Sequence, residues 1–301
     1  MPLEVTNLIK RYGDKLAVNG LTFSLTKPGV MALLGTNGAG KTTSIRIILG
    51  MLSKDGGSVL WNGTPLKATE SPVGYLAEER GLYPKYKVID QIKYFAKLKG
   101  LRGDKAKARI DYWFDRLEIA EYLTKTASQL SKGNQQKVQL AAALISEPEL
   151  LILDEPLSGL DPVNSDLFKS VIREEIDKGK FIIMSSHQMA TVEEFCEDII
   201  IMHRGETVLQ GNLNIIKKSR GRVNLSIKSD GDIKPIAAEC GLQLVSETPN
   251  GIDFKIQREK QAAEFLHQLV DRGITPVRFD LREPSLHEIF VEKAGHADES
   301  L

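Results

Sequence analysis

The chain has 301 residues, with 40 Lys and Arg against 40 Asp and Glu and 27% of positions charged. That length suits one large domain with a smaller companion, and the even charge gives no overall field that would favour nucleic acid or an anionic membrane. Cys196 and Cys240 are too few for a disulfide framework, no apolar run nears the ~18–20 residues of a membrane helix, and Met1-Pro-Leu-Glu-Val-Thr lacks an apolar signal core, so the chain reads as a cytosolic enzyme and not as a pore.

In chain order, Leu3–Arg11 and Leu16–Leu25 alternate as antiparallel strands of a β subdomain. The apolar run Val30-Met-Ala-Leu-Leu34 reads as a buried strand. It leads into Gly35-Thr-Asn-Gly-Ala-Gly-Lys41-Thr42-Thr43, and Ser44-Ile-Arg-Ile-Ile-Leu-Gly50 then reads as a helix. Strand, glycine-rich loop, Lys-Thr and helix together form the arrangement that cradles a nucleoside triphosphate. Backbone N–H groups and the helix N-terminus face the phosphates, Lys41 reaches the β/γ-phosphates, and Thr42 offers a hydroxyl to Mg²⁺. Residues from about Tyr86 to Ser146 are mostly helical, and the stripe Val88, Ile92, Phe95 and Ala96 reads as core packing.

Leu130-Ser131-Lys132-Gly133-Asn134-Gln135-Gln136 opens a further helix, and Ser131 fits an ordinary N-cap. Leu150-Leu-Ile-Leu-Asp154-Glu155-Pro156 is a β-type run ending in two carboxylates. Successive side chains of a strand point to opposite faces, so the two acids take different tasks. Beside a phosphate loop, Asp154 suits the Mg²⁺ shell and Glu155 suits the general base that polarises the attacking water. A surface strand ending in two solvated acids would look the same by itself. Ser158-Gly-Leu-Asp161-Pro162 and Phe181-Ile-Ile-Met-Ser185-Ser186-His187 follow. The strands Leu150–Leu153, Phe181–Ser185 and Ile199–Met202 alternate with helical patterns, which gives an α/β fold with a parallel sheet.

These segments, in this order, resemble the ATP-binding subunits of ABC transporters over about residues 3–215. The resemblance makes Gly35–Thr43 the P-loop, Leu130–Asn134 the signature, Leu150–Glu155 the Walker B strand, Ser158–Asp161 the D-loop and His187 the switch histidine. It implies that Tyr12 stacks on adenine and that Gly35, Asn37, Gly38, Ala39, Gly40, Lys41, Thr42 and Thr43 surround the phosphates. Catalysis would fall to Glu155, His187 and Lys41, with Mg²⁺ held by Thr42, Asp154 and Glu78. Asp161 would also bind nucleotide, and Ser131 and Gly133 would complete the nucleotide site of a second ATP-binding subunit in a head-to-tail pair, either a homodimer or a heterodimer. Two positions depart from the family pattern. Lys132 and Asn134 replace a Gly and a Gln of the signature, and Glu78 in Tyr75-Leu-Ala-Glu78-Glu79-Arg80 stands where a Gln normally contacts Mg²⁺ and senses the membrane partner. A carboxylate is a competent Mg²⁺ ligand, and a plainly solvated loop is the competing reading of Glu78 and Glu79.

The basic run Lys217–Arg222 reads as a linker after a first domain of residues 1–217, whose helical subdomain covers about 77–146. Beyond it come strand Val223–Lys228, helix Ile233–Cys240, strands Leu242–Glu247 and Gly251–Ile256, helix Lys260–Arg272 and strand Thr275–Leu281. That is the ferredoxin-like β-α-β-β-α-β order, here over 223–294, with a last helix Ser285–Lys293 and a flexible tail at 295–301. His267, His287 and His296 show no metal-ligand spacing. The tail domain resembles the C-terminal extension of ATPase subunits from type-2 bacterial exporters, a group that includes sodium efflux and antibiotic export systems. The resemblance implies an ATP-hydrolysing subunit on the cytoplasmic face of the membrane, driving a separate permease, with no nucleic-acid partner. Two alternatives stay open. A soluble ATPase of the same type could act on a non-transport partner, although DNA-repair relatives carry coiled-coil insertions that do not fit between Thr43 and Ser131. A C-terminal domain that senses a ligand is the other. The transported molecule is not written in this chain.

Overall fold

The computed structural model describes residues 2–67, 73–78 and 81–299, with the backbone alone for 294–299. The chain divides into two compact units, Met1–Gln210 and Gly211–Leu301.

The first unit opens with β1 (Leu3–Tyr12) and β2 (Lys15–Leu25), then β3 (Gly29–Leu34), α1 (Lys41–Ile48), β4 (Gly56–Trp61), β5 (Thr64–Pro65) and β6 (Val73–Leu76). Three helices follow: α2 (Val88–Leu98), α3 (Gly103–Arg116) and α4 (Lys132–Leu144). The unit closes with β7 (Leu150–Asp154), α5 (Pro162–Asp177), β8 (Phe181–Ser186), α6 (Met189–Phe195), β9 (Asp198–His203) and β10 (Glu206–Asn212). Strands β2-β1-β4-β5 form an antiparallel sheet and β10-β9-β3-β8-β7-β6 a second sheet, in which the pairs β9/β3, β3/β8, β8/β7 and β7/β6 are parallel.

The two sheets differ in sequence because they differ in burial. β1 alternates, burying Leu3, Val5 and Leu8 on one face. Every residue of β7 is buried, as expected of a parallel strand covered on both faces. Between the sheets lies α1. Ile45, Ile47 and Ile48 join one core with Leu3, Val5 and Phe23 from the antiparallel sheet and Leu33, Ile152, Ile183 and Ile200 from the parallel one. The helix that follows the phosphate loop is thus gripped from both sides, and removing one such buried isoleucine side chain costs about 2–5 kcal/mol.

The second unit holds α7 (Leu213–Ser219), β11 (Asn224–Lys228), α8 (Lys234–Glu239), β12 (Gln243–Thr248), β13 (Gly251–Lys255), α9 (Glu259–Asp271), β14 (Arg278–Arg282) and α10 (Leu286–Glu299). Its antiparallel sheet runs β12-β13-β11-β14. Ile236 and Ala237 of α8 and Ala262, Phe265 and Leu269 of α9 pack on Leu225, Ile227 and Phe254, with the Phe254 and Phe265 rings edge-on, 5.8 Å between centroids. This is the ferredoxin-like arrangement expected from the alternation of periods in the sequence.

Two expected boundaries move. The division falls after Gln210, ahead of the expected linker, and α7 begins just beyond it, with Asn212 capping that helix by accepting from the Ile215 N–H. The last helix continues to Glu299, through the stretch expected as a flexible tail, where Ala294, Ala297 and Glu299 all favour helix.

The second unit's core generates a test. Phe265→Ala removes a fully buried ring and is expected to lower that unit's stability by about 3–5 kcal/mol. Hydrogen exchange over 211–299 reads this directly, while both tryptophans, Trp61 and Trp113, lie in the first unit and report on it by fluorescence. Unchanged exchange in the second unit would contradict the packing described.

Candidate functional site

β3 ends at Leu34, and the chain turns through residues 35–40 into α1. Two glycines there cannot be replaced without cost. Gly40 holds φ at 106° as the residue before α1, and a Cβ on it would lie 2.4 Å from the Ala17 carbonyl oxygen. A Cβ on Gly35 would lie 2.5 Å from the Met202 carbonyl oxygen. Gly38, at φ 83°, has open space around it and meets only the backbone restriction. Lys41 is buried and its Nζ donates to the carbonyl oxygens of Gly35 (2.7 Å) and Thr36 (3.3 Å), so the loop grips its own lysine.

At the end of β7 the two acids take different partners, because the strand stops at Asp154 and Glu155 leaves it in the left-handed conformation. Thr42 Oγ1 donates to Asp154 Oδ1 at 3.4 Å, and Ser185 Oγ donates to the same oxygen at 2.5 Å. Asp154 Oδ2 is buried with no hydrogen-bond partner among the described residues. Burial pushes the Asp154 carboxyl above the usual carboxylate range, against the Ser185 and Thr42 hydrogen bonds. Burial, with Asp154 close by, also pushes the Tyr75 phenol up to about 12. Glu155 sits in the left-handed region at φ 51°. Its Oε1 lies 3.9 Å from Lys41 Nζ and its Oε2 lies 2.8 Å from His187 Nδ1. The carboxylate therefore stands between the ammonium and the imidazole, itself buried while His187 is half-exposed.

Lys41, Thr42 and Glu155 meet at one cavity of about 360 Å³, while Gly35, Asp154 and His187 are not among the residues that line it. Tyr12, Asn37, Gly38, Ala39, Gly40, Lys41, Thr42, Thr43, Glu78 and Glu155 line it, together with Lys15 and Ala17. Tyr12 is 51% exposed, and Lys10 Nζ lies 5.5 Å above its ring. Lys10 is steadied by Asp55, whose other oxygen accepts from the Arg11 N–H, so the end of β1 that carries Tyr12 is tied down. Glu78 lies at the cavity with the P-loop residues, whereas Glu79 and Arg80 lie outside the described residues.

Ser131, Gly133 and Asp161 are not among the residues that line this cavity. Ser131 Oγ caps α4 by accepting from the Asn134 N–H at 3.2 Å. Asp161 caps α5 by accepting from the Asn164 N–H at 3.0 Å, and that contact holds its carboxyl below the usual range. A Cβ on Gly133 would lie 3.1 Å from Asn164 Nδ2, so the two helix starts sit against each other.

Sequence reasoning assigned no task to Ser185, Lys15 or Ala17. The relevant signal for Ser185 is register: β7 and β8 pair in parallel with Asp154 opposite Ser185, which local spacing does not contain.

The cleft has the parts of a nucleoside triphosphate site: a lysine held at a glycine-rich turn, an exposed aromatic ring, and the acids Glu78 and Glu155 in one lining. The residues also fit a divalent cation. Asp154 Oδ2 is a buried oxygen in need of a partner, and Thr42 is bonded to the same carboxylate. Among the described residues no group of three His, Cys, Asp or Glu is arranged as a metal cage. Mg²⁺ needs none, being held by one or two carboxylates plus substrate phosphates.

Comparison with known proteins agrees. Residues 18–158 match the ABC transporter family model, and residues 211–294 match the model of the ATP-binding protein DrrA1-3-like C-terminal domain. The uncharacterized ABC transporter ATP-binding protein YhaQ of Bacillus subtilis is 44% identical, covering 97% of this chain and 98% of that one. Nod factor export ATP-binding protein I of Burkholderia orbicola is 32% identical, covering 70% of each. A solved structure of the ATP binding subunit of an ABC transporter superimposes with a TM-score of 0.68 at 30% identity, covering 73% of this chain and 94% of that one. The chain belongs to the ATP-binding proteins of ABC transporters. Among its described residues no helix is long and apolar enough to cross a membrane.

The glycine geometry gives a graded expectation. Gly38→Ala meets only the left-handed backbone penalty, about 1–2 kcal/mol, whereas Gly40→Ala adds a clash with the Ala17 carbonyl. Thermal unfolding of the nucleotide-free protein is expected to rank parent above Gly38→Ala above Gly40→Ala; the reverse order of the two variants would contradict the loop geometry.

Proposed function

We propose that this chain hydrolyses ATP in a pair with a second ATP-binding subunit and so powers export through a separate membrane permease. The observation that carries the reading is the placement of Glu155, with its carboxylate between Lys41 and His187 and its neighbour Asp154 bonded to Thr42. The export direction is supported by the resemblance of the tail domain to the C-terminal extension of exporter ATPases and by a relative named for Nod factor export over 70% of this chain.

In this reading the adenine stacks on Tyr12, and the N–H groups of the 35–43 loop face the phosphates. Lys41 exchanges a carbonyl partner for phosphate oxygen. Thr42 and Asp154 hold Mg²⁺, with Glu78 as a further carboxylate at the same cavity. The bound cation would neutralise charge on the phosphate oxygens. Glu155 takes a proton from the water whose oxygen forms a bond to the γ-phosphorus as the bond to the ADP oxygen breaks. His187 donates toward the γ-phosphate and, through Nδ1, orients Glu155.

Ser131, Gly133 and Asp161 serve the ATP held by the partner. Their position at helix starts away from this chain's own cavity supports that assignment, since the N-terminus of α4 carries both the hydroxyl and the free N–H groups that suit a phosphate. Two equivalent sites then require two-fold symmetry.

Glu155→Gln keeps shape and removes the base. It is expected to bind ATP and lower kcat by about 10²–10⁴-fold, and hydrolysis near the parental rate would overturn the assignment. Ser131→Arg is expected to abolish hydrolysis while the monomer still binds ATP. Hydrolysis whose specific rate is independent of protein concentration, in an isolated monomer, would refute the shared site.

A further inference from the structure

Ser185 is fully buried at the end of β8, and one hydroxyl there serves both acids. A backbone N–H only donates and a carboxylate only accepts, so the direction of each bond is fixed. Ser185 Oγ accepts from the Glu155 N–H at 2.9 Å and gives its single proton to Asp154 Oδ1 at 2.5 Å. Thr42 donates to that same oxygen. With Oδ1 taken twice, Oδ2 is the oxygen left without a partner among the described residues. The same hydroxyl, with the Ser185 carbonyl 3.3 Å from the Glu155 N–H, holds a non-glycine residue in the left-handed conformation at φ 51°. That conformation is strained for a residue with a Cβ and needs local support to persist. The next residue shows the contrast: Ser186 Oγ accepts from the Gln188 N–H and closes an ordinary turn.

We propose that Ser185 is a positioning residue for hydrolysis: its hydroxyl turns Asp154 so that Oδ2 faces the metal position, and it holds the Glu155 backbone so that the carboxylate reaches between Lys41 and His187. The proposal rests on the reading of Asp154 as metal ligand and Glu155 as base. It adds that the two roles are set by one shared group. A serine that merely satisfied buried polar atoms would affect folding stability and leave the metal requirement alone. The two cases separate by measurement.

The test uses the full-length chain carrying Ser185→Ala, with Mn²⁺ as a spectroscopic probe of the metal position. ATP affinity in EDTA is expected to stay within about twofold of parent, because the phosphate loop and Tyr12 are untouched. Mn²⁺ affinity of the ATP complex, read by electron paramagnetic resonance, is expected to fall by about tenfold or more, as when a group orienting a metal ligand is removed. The kcat is expected to fall by at least about tenfold with KM for ATP nearly unchanged. In an Asp154→Asn background, Ser185→Ala is expected to change Mn²⁺ affinity by less than about twofold, because the serine acts through that carboxylate.

A folded Ser185→Ala protein with parental Mn²⁺ affinity and kcat would overturn the proposal. So would a loss of ATP affinity in EDTA equal to the loss measured with Mn²⁺, which marks general damage. If Ser185→Ala does not fold, Ser185→Cys keeps a weak donor in nearly the same volume, and its Mn²⁺ affinity is expected to be measurable but below parent; parental affinity there would count against a role for hydroxyl geometry. Glu155→Gln in parallel tests the base on its own: full activity of that variant would remove the hydrolytic reading and leave the Mn²⁺ result standing.

Discussion

The parallel pairing of β3, β8 and β7 is the constraint on which the rest of the site depends. Leu34 lies opposite Ser186 across β3 and β8, and Asp154 lies opposite Ser185 across β8 and β7. The strand that enters the phosphate loop and the strand that ends in the acids therefore stop at the same edge of the sheet, one strand apart. In parallel α/β sheets this carboxyl edge is where ligands bind, because the helices that follow the strands begin there. A slip of one residue in β7 would turn Asp154 to the opposite face. The ladder pairs β7 with β8 from Leu150–Phe181 to Asp154–Ser185 and with β6 from Val73 to Leu76, and that register sets the face on which Asp154 stands.

The site opposes the stability that the core provides. Lys41, Asp154 and Glu155 are all buried, and burial of charge is costly unless each group is paired. Lys41 is paired by loop carbonyls and stands near Glu155, while Asp154 keeps one oxygen without a partner among the described residues. Glu155 adds a left-handed backbone. Such local violations persist where the surrounding packing over-determines them and where function requires them. The two sheets gripping α1 supply that packing on the phosphate side, and the fully paired β8 supplies it on the acid side.

Much of this was legible in the sequence, for identifiable reasons. The glycine spacing at Gly35–Gly40 encodes a turn whose φ values and close approaches only glycine tolerates, so it is readable without the rest of the chain. The buried strands were legible as continuous apolar runs and the second unit as an alternation of periods. Ser185 was not legible, because its partners come from another strand through sheet register, and a serine before a histidine has no spacing of its own. Lys15 reaches the cavity for a similar reason, from a strand of the other sheet. The second unit begins ahead of the basic run Lys217–Arg222, which resembles a linker but overlaps the end of α7.

The groups assigned to the partner's nucleotide are fastened to this chain's own catalytic edge. Gln136 Nε2 donates to the Pro156 carbonyl at 2.8 Å, which joins α4, the helix that begins after Ser131, to the residue following Glu155. Gly133 and Asn164 join the starts of α4 and α5, and Asn164 in turn bonds both oxygens of Asp161. A side chain at position 133 would press on Asn164, so the small residue there keeps the two helix starts close. Under the paired reading, a shift of the acids in one site is then carried by direct contacts to the serine and glycine that serve the other. Glu155 and Pro156 are covalent neighbours, and one hydrogen bond spans the remaining step to α4, so the acids and that helix are joined by direct contacts.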